Sequence, residues 1–209
     1  MRAGRFDRDM NPIQPISAFI LAGGESSRMG RDKARLELAG VPLILRTARL
    51  LESVAGAPAI IGSPDAYRPL GLRAIADDWP GAGPLGGIAT ALRAAATPWS
   101  LIVATDLPYL TREWLEYLIA RGLASSADAV VATNAHGPEP LCAMYHHRAE
   151  PVFRGLLERD MRKVTQALLD IRVDPIAHAE WKRFDSEGLL FKNMNSPEDY
   201  EEARAKLGG

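Results

Sequence analysis

The sequence predicts an α/β domain, three layers around a mostly parallel sheet, and three observations carry that reading. Short apolar runs alternate with helix-length amphipathic segments along most of the chain, the pattern of strand–helix–strand units. The first of these runs, Ala18 to Ala22, breaks directly into a polar loop holding Gly23, Gly24, Ser26, Ser27, Arg28 and Gly30, with Lys33 just beyond. No internal repeat, low-complexity tract or linker divides the 209 residues, so the chain reads as one domain, 16–209, behind a flexible leader, 1–15.

Composition narrows the class. With 47% hydrophobic and 24% charged residues the chain can bury a core without staples. A formal net charge of −1 gives no footprint for nucleic acid, so anion binding must come from a local site. The single cysteine, Cys142, rules out an intrachain disulfide and a cysteine-based zinc cage, and fits a reducing compartment. No apolar run approaches the roughly 18 residues of a membrane span. Met1 to Pro15 carries Arg2, Arg5 and Arg8 but no apolar stretch of a signal peptide. A cytoplasmic protein without membrane or nucleic-acid partners is expected.

The loop after the first strand is the leading candidate for a site. Loops at the carboxyl ends of parallel strands are where open α/β sheets bind ligands. Glycines let backbone N–H groups curl toward an anion, and Arg28 and Lys33 would add charge against phosphate oxygens. The spacing excludes two familiar loops: Gly24 to Gly30 to Lys33-Ala34 is not a Walker A motif, and Gly23-Gly24 is not a dinucleotide fingerprint.

Further along, Arg35 to Leu38 alternates as a short strand ending in the Ala39-Gly40 turn, and Pro42 is placed in the first turn of a helix over about Leu43 to Val54. Ala59 to Gly62 is the second core strand, Pro64 to Leu70 a short helix and Leu72 to Ala76 the third strand. Asp77 to Gly87 packs four glycines and two prolines into an irregular loop before a helix from about Leu85 to Ala96. A helix opening beside Gly86-Gly87 would approach a ligand backbone-first. Ser100 to Ala104 is the clearest strand and ends in Thr105-Asp106-Leu107-Pro108. An acidic residue there is placed to hold Mg²⁺ against phosphates, and Thr111 takes the alternative role of capping the next helix.

Asp128 to Thr133 is another strand, and the His136 to Pro140 turn leads into Leu141 to Tyr145, returning antiparallel with Cys142 inside the apolar run. His146 and His147 face opposite ways on a strand and so are not read as a metal pair. Helices are expected over Pro151 to Arg159 and from Arg162 to Leu169, a short strand over Ile171 to Val173, and a polar surface loop over His178 to Glu187. Ser196 caps a last helix with Pro197 at its first position, and Asn193 and Asn195 just before it suggest a second contribution to the site.

Together these segments resemble one family. Leu21-Ala22-Gly23-Gly24-x-Ser26-x-Arg28-Met29-Gly30-x-Asp32-Lys33-Ala34 resembles the signature of nucleotidyltransferases with a Rossmann-like fold, in the spelling of the molybdenum cofactor guanylyltransferases. Asp77-x-Trp79-Pro80-Gly81-x-Gly83-Pro84-Leu85-x-Gly87-Ile88, Asp106-x-Pro108, Pro140-Leu141-x-Ala143-x-Tyr145 and Asn193-x-Asn195-x-Pro197-Glu198-Asp199 resemble its later motifs. The resemblance implies a single-domain Rossmann-like nucleotidyltransferase fold and transfer of GMP from GTP to molybdopterin with release of pyrophosphate. It implies that Leu21, Ala22, Gly23 and Gly24 lie along the nucleotide, that Lys33 contacts its phosphates with Arg28, that Asp77 helps hold the nucleoside and that Asp106 binds Mg²⁺, with Asn195 as a metal or substrate neighbour. Where the family often shows an Asn after the second strand this chain has Ile61-Gly62-Ser63-Pro64, and Ser63 substitutes as a smaller hydrogen-bonding group. GTP, molybdopterin and cofactor-delivery proteins are the partners implied, and Arg148, Arg162, Lys163 and Lys182 are basic residues that would meet a phosphorylated pterin or form a solvated face. Alternatives are a sister enzyme using CTP or another phosphorylated acceptor, and a nucleotide-binding homologue without turnover. A nicotinamide oxidoreductase is disfavoured by the failed fingerprint.

Overall fold

A computed structural model of the chain describes residues 16–22 and 33–208. Its sheet has seven strands in the order β5-β4-β1-β6-β8-β7-β9: β1 (Ser17–Leu21), β4 (Ala59–Ile61), β5 (Ala74–Ile75), β6 (Trp99–Ala104), β7 (Ala129–Asn134), β8 (Gly137–His146) and β9 (Val173–Ile176). β1, β4, β5 and β6 run parallel. β8 alone runs against its neighbours β6 and β7. This is the expected three-layer arrangement with its antiparallel excursion. β2 (Glu37–Leu38) and β3 (Val41–Pro42) form a separate small hairpin.

Strand periodicity explains the layers. Ile20, Leu101, Val103, Cys142 and Met144 point to one face, covered by α1 (Leu43–Ala55) and α4 (Arg112–Ala124). Phe19, Leu21, Ile102, Ala143 and Tyr145 point to the other, covered by α3 (Pro84–Ala94), α5 (Glu150–Glu158) and α6 (Val164–Ala167). β6 is buried along its whole length, which is why it reads as apolar but for Ser100. Trp114, at the start of α4, is fully buried and donates its indole N–H to Cys142 Sγ at 3.3 Å. Burial pushes the Cys142 thiol up to about 12, so it is a packing group and not a nucleophile.

Caps behave as their chemistry requires. The Thr111 side chain accepts from the Trp114 backbone N–H, so Thr111 is the cap of α4. Ser196 and Asp199 form a reciprocal capping box on α8 (Pro197–Leu207). Backbone N–H groups of Asn195 and Ser196 hold the Asp199 carboxyl below the usual range. Ser196→Ala is expected to cost about 1 kcal/mol in chemical denaturation. Because the folded carboxyl is the stronger acid, the stabilisation from Asp199 is complete above about pH 4 and disappears as pH falls through its lowered value. The melting-point gap between the parent and Asp199→Ala should therefore close on acidification.

Several expectations are corrected. Pro42 ends β3 with extended backbone (φ −53°, ψ 139°) and precedes α1 instead of opening it. β9 lies at Val173–Ile176, later than the expected Ile171 to Val173, and pairs parallel with β7, since the sheet and not the local sequence selects the register. The segment His178 to Glu187 is no simple surface loop. It contains α7 (His178–Trp181), whose Trp181 is buried and donates its indole N–H to the Thr133 carbonyl at 2.9 Å. His146 ends β8 and His147 begins a 3-10 turn, so the alternation argument fails for them and their rings lie 4.5 Å apart. His146 packs edge-on against Trp99 and accepts from the Arg148 N–H, a structural role.

Candidate functional site

The carboxyl edge of the sheet gathers the candidate residues. β1 is pinned at its end from both sides. The Leu21 carbonyl accepts from the Thr105 N–H at 3.1 Å and from the Thr105 hydroxyl at 2.9 Å. The Ala22 N–H donates to the Ile61 carbonyl at 3.1 Å, and the Tyr67 hydroxyl donates to the Ala22 carbonyl at 3.1 Å. A Cβ on Gly62 would stand 2.8 Å from that same carbonyl, so only glycine fits there. The strand thus delivers the chain into the loop at a fixed point. Gly23, Gly24 and Arg28 lie outside the described residues. Lys33 begins a short 3-10 turn through Arg35, and Arg35 donates to the Ala66 carbonyl at 2.8 Å.

Ser63 follows β4 at this edge and is exposed at the start of α2 (Pro64–Tyr67), where its side chain makes no capping bond. Asp77 follows β5. Its Oδ1 accepts from the Trp79 N–H at 3.0 Å and lies 2.8 Å from the Thr90 hydroxyl of α3, which also accepts from the Asp78 N–H. One carboxylate oxygen of Asp77 therefore sets the shape of the Asp77 to Gly87 loop.

Gly86 and Gly87 have a different duty from the one expected. Both lie in the first turn of α3 and send their N–H groups to the Gly83 carbonyl. A Cβ on Gly86 would meet Trp79 Cβ at 2.9 Å, and one on Gly87 would meet Leu21 Cδ2 at 3.1 Å. They let α3 sit close against β1 and its own loop. Gly81 and Gly83 are the residues that need positive φ, at 78° and 72°.

The loop is tied from outside by Arg162, whose Nη1 donates to the Gly81 carbonyl at 2.7 Å while Asp160 accepts from the same guanidinium at 2.8 and 3.0 Å. The guanidinium is half exposed, so global stability should change little in Arg162→Ala. Amide exchange at Ala82, hydrogen-bonded to the Trp79 carbonyl, should instead accelerate about tenfold as the loop loses its tether. Arg148, by contrast, leaves the basic set. It pairs with Asp128, just before β7, at the opposite edge of the sheet. Burial pushes Asp128 up, but Arg172 and Arg148 outweigh it and hold its carboxyl below the usual range.

Asp106 sits just past β6, partly buried. Its carbonyl accepts from the Met194 N–H at 2.9 Å, which brings the Asn193-Met194-Asn195 segment to the centre of the edge. Met194 is buried against Leu38 and Leu43, so the placement rests on packing as well as on that bond. Among the described residues no group of three or more His, Cys, Asp or Glu gathers to hold a metal. A carboxylate beside an amide-bearing segment offers hard oxygen donors in small number, the donor type that suits a Mg²⁺ completed by phosphates and water.

Missed in the sequence are Thr105 and Tyr67, which fix the end of β1, and Thr90, which shapes the Asp77 loop. Each acts through a partner more than ten residues away, and no local pattern marks it.

Sheet order, the pinned end of β1 and an aspartate at the end of the central strand fit an α/β nucleotidyltransferase fold. The structure of molybdopterin-guanine dinucleotide biosynthesis protein A from Archaeoglobus fulgidus superposes with a TM-score of 0.79 at 27% identity, covering 91% of this chain and 97% of that one. A family model described as the MobA-like NTP transferase domain matches residues 18–173, and the chain belongs to that family. It is 36% identical to a probable molybdenum cofactor guanylyltransferase from Opitutus terrae, over 91% of this chain and 96% of that protein. It is 37% identical to one from Natronomonas pharaonis, over 91% of this chain and 98% of that protein.

Proposed function

We propose that this chain transfers GMP from GTP to molybdopterin, releasing pyrophosphate and forming the guanine dinucleotide form of the molybdenum cofactor. The similarity to guanylyltransferases over nearly the whole length supports the reading. The observation that carries it is the junction at Asp106, where the end of β6 and the Asn193 to Asn195 segment meet beside the pinned end of β1.

A terminal phosphate oxygen of molybdopterin attacks the α-phosphorus of GTP in line; the bond from that phosphorus to the bridging oxygen breaks and pyrophosphate leaves. A phosphate monoester is already largely ionised near neutral pH, so no general base is needed. What the chain must provide is alignment and charge. Leu21, Ala22 and the amides of Gly23 and Gly24 lie along the nucleotide, Ser63 and Asp77 hold the nucleoside, and Arg28 and Lys33 take charge that builds on the leaving pyrophosphate. Asp106 and Asn195 would hold Mg²⁺, which when bound neutralises phosphate charge. No helix among the described residues is long and apolar enough to cross a membrane. The cytoplasm is the proposed compartment, with a cofactor-delivery protein handing over the acceptor.

The test is pyrophosphate release with GTP, CTP and ATP in parallel, with Mg²⁺ and molybdenum-loaded molybdopterin. Acceptor-dependent release with GTP alone is expected. Release with CTP would move the chain to the sister activity and make Ser63 the telling departure. Tight GTP binding without product would leave a nucleotide-binding protein.

A further inference from the structure

The nucleotide reading occupies the β1, β4 and β5 half of the carboxyl edge, through Leu21, Ser63 and Asp77. The acceptor must then reach Asp106 from the β6, β8 and β7 half. On that half stands a carboxylate, Glu139, that the reaction as described does not use.

Glu139 lies in β8 at a large bulge. The register with β7 passes from Val131–Ala143 to Thr133–Pro138, so the single residue Ala132 faces Glu139 to Cys142. Bulges at a sheet end re-aim side chains next to sites. This one is rigid. Pro138 and Pro140 flank Glu139, and a residue before proline is confined to extended backbone. The buried Tyr145 hydroxyl donates to the Pro140 carbonyl at 2.8 Å, which fixes the far side of the bulge. Glu139 and Asp106 each lie three residues beyond the Val103–Cys142 pair, the last between β6 and β8.

The carboxylate is partly buried and held from one side only. Asn134 Nδ2 donates to Glu139 Oε1 at 2.6 Å. Among the described residues no donor meets Oε2. Burial pushes the carboxyl up, offset only in part by Asn134 and by nearby His136. An ionised carboxylate has about four acceptor sites and can take two parallel hydrogen bonds from a planar donor pair. Asn134 uses one of those sites and orients the rest.

The acceptor carries such a pair: the pterin ring presents a ring N–H beside an exocyclic amino group. We propose that Glu139 is the specificity residue for the acceptor, its carboxylate accepting from that donor pair while Asn134 holds it in place. The inference rests on the guanylyltransferase reading. Guanine presents the same kind of donor pair, so the competing assignment is that Glu139 reads the nucleotide base.

Steady-state kinetics of the full chain, varying molybdopterin and GTP separately, divide these outcomes. For Glu139→Gln, which keeps the volume and a single acceptor, KM for molybdopterin should rise about tenfold, the loss of one charge-assisted hydrogen bond, with KM for GTP unmoved. A rise in KM for GTP instead would assign Glu139 to guanine and overturn the proposal. Unchanged constants for both substrates would overturn it too. Competition on the parent enzyme gives a readout independent of the variant's folding. Hydroxymethylpterin should inhibit against molybdopterin, and the matching lumazine, with an oxo group in place of the amino group, should inhibit at least about tenfold more weakly. Equal inhibition by the two would sink the proposal while leaving the guanylyltransferase reading intact. A parent enzyme that releases no pyrophosphate with GTP and molybdopterin would overturn both.

Discussion

Asp106→Ala should reduce pyrophosphate release by about 10²–10³-fold, the scale measured for removal of one preorganised group from a charge-stabilising site. The reason is position. Asp106 stands just past the end of the central strand, with its main chain held by the Met194 N–H, on the edge where the proposed reaction brings the substrates together. That hydrogen bond uses the carbonyl and survives the substitution. The loss should appear in kcat, because charge on the phosphates is greatest in the transition state. The Mg²⁺ dependence should weaken in parallel. An Asp106→Ala enzyme with parent activity and an unchanged Mg²⁺ titration would remove Asp106 from the metal and leave the reaction without its proposed centre.

Lys33→Ala should have the second large effect, again about 10²-fold or more in kcat, with a smaller rise in KM for GTP. Its cation is assigned to the charge that builds on pyrophosphate as the bond breaks, so it counts for more in the transition state than in the bound ground state. Lys33 opens the 3-10 turn whose neighbour Ala34 is buried in the core, so its backbone is carried by packing on either side of the loop. Lys33→Ala removes the charge and leaves the buried Ala34 in place, and the denaturation midpoint should move little. Lys33→Ala that retains full turnover would contradict the phosphate-binding role of this loop.

Much of the architecture was legible from local chemistry. Thr111 and Ser196 announced two helix starts because a side-chain oxygen three residues before a backbone N–H is a sequence-local arrangement. The β1 and β6 strands were legible because a strand buried on both faces is a nearly continuous apolar run, here Ala18 to Leu21 and Leu101 to Ala104. The position of Asp106 just past β6, at the carboxyl edge of the sheet, was legible too, since it follows directly from the end of an apolar run.

What the sequence determined by itself was therefore the class of fold and the chemical character of the groups at the carboxyl edge of the sheet. Only tertiary structure decided which of those groups meet. Met194 reaches Asp106 across the chain, Thr105 closes on Leu21, and Trp181 fills the face beneath Thr133. Gly86 and Gly87 proved to be close-packing positions, Arg148 fell to the opposite edge, and Glu139 gained its setting from a bulge visible only once β7 and β8 are in register. The physical reason is common to all of these. Periodicity and capping encode which face of an element is apolar and where it starts, whereas strand order and register depend on burial summed over residues distant in the chain.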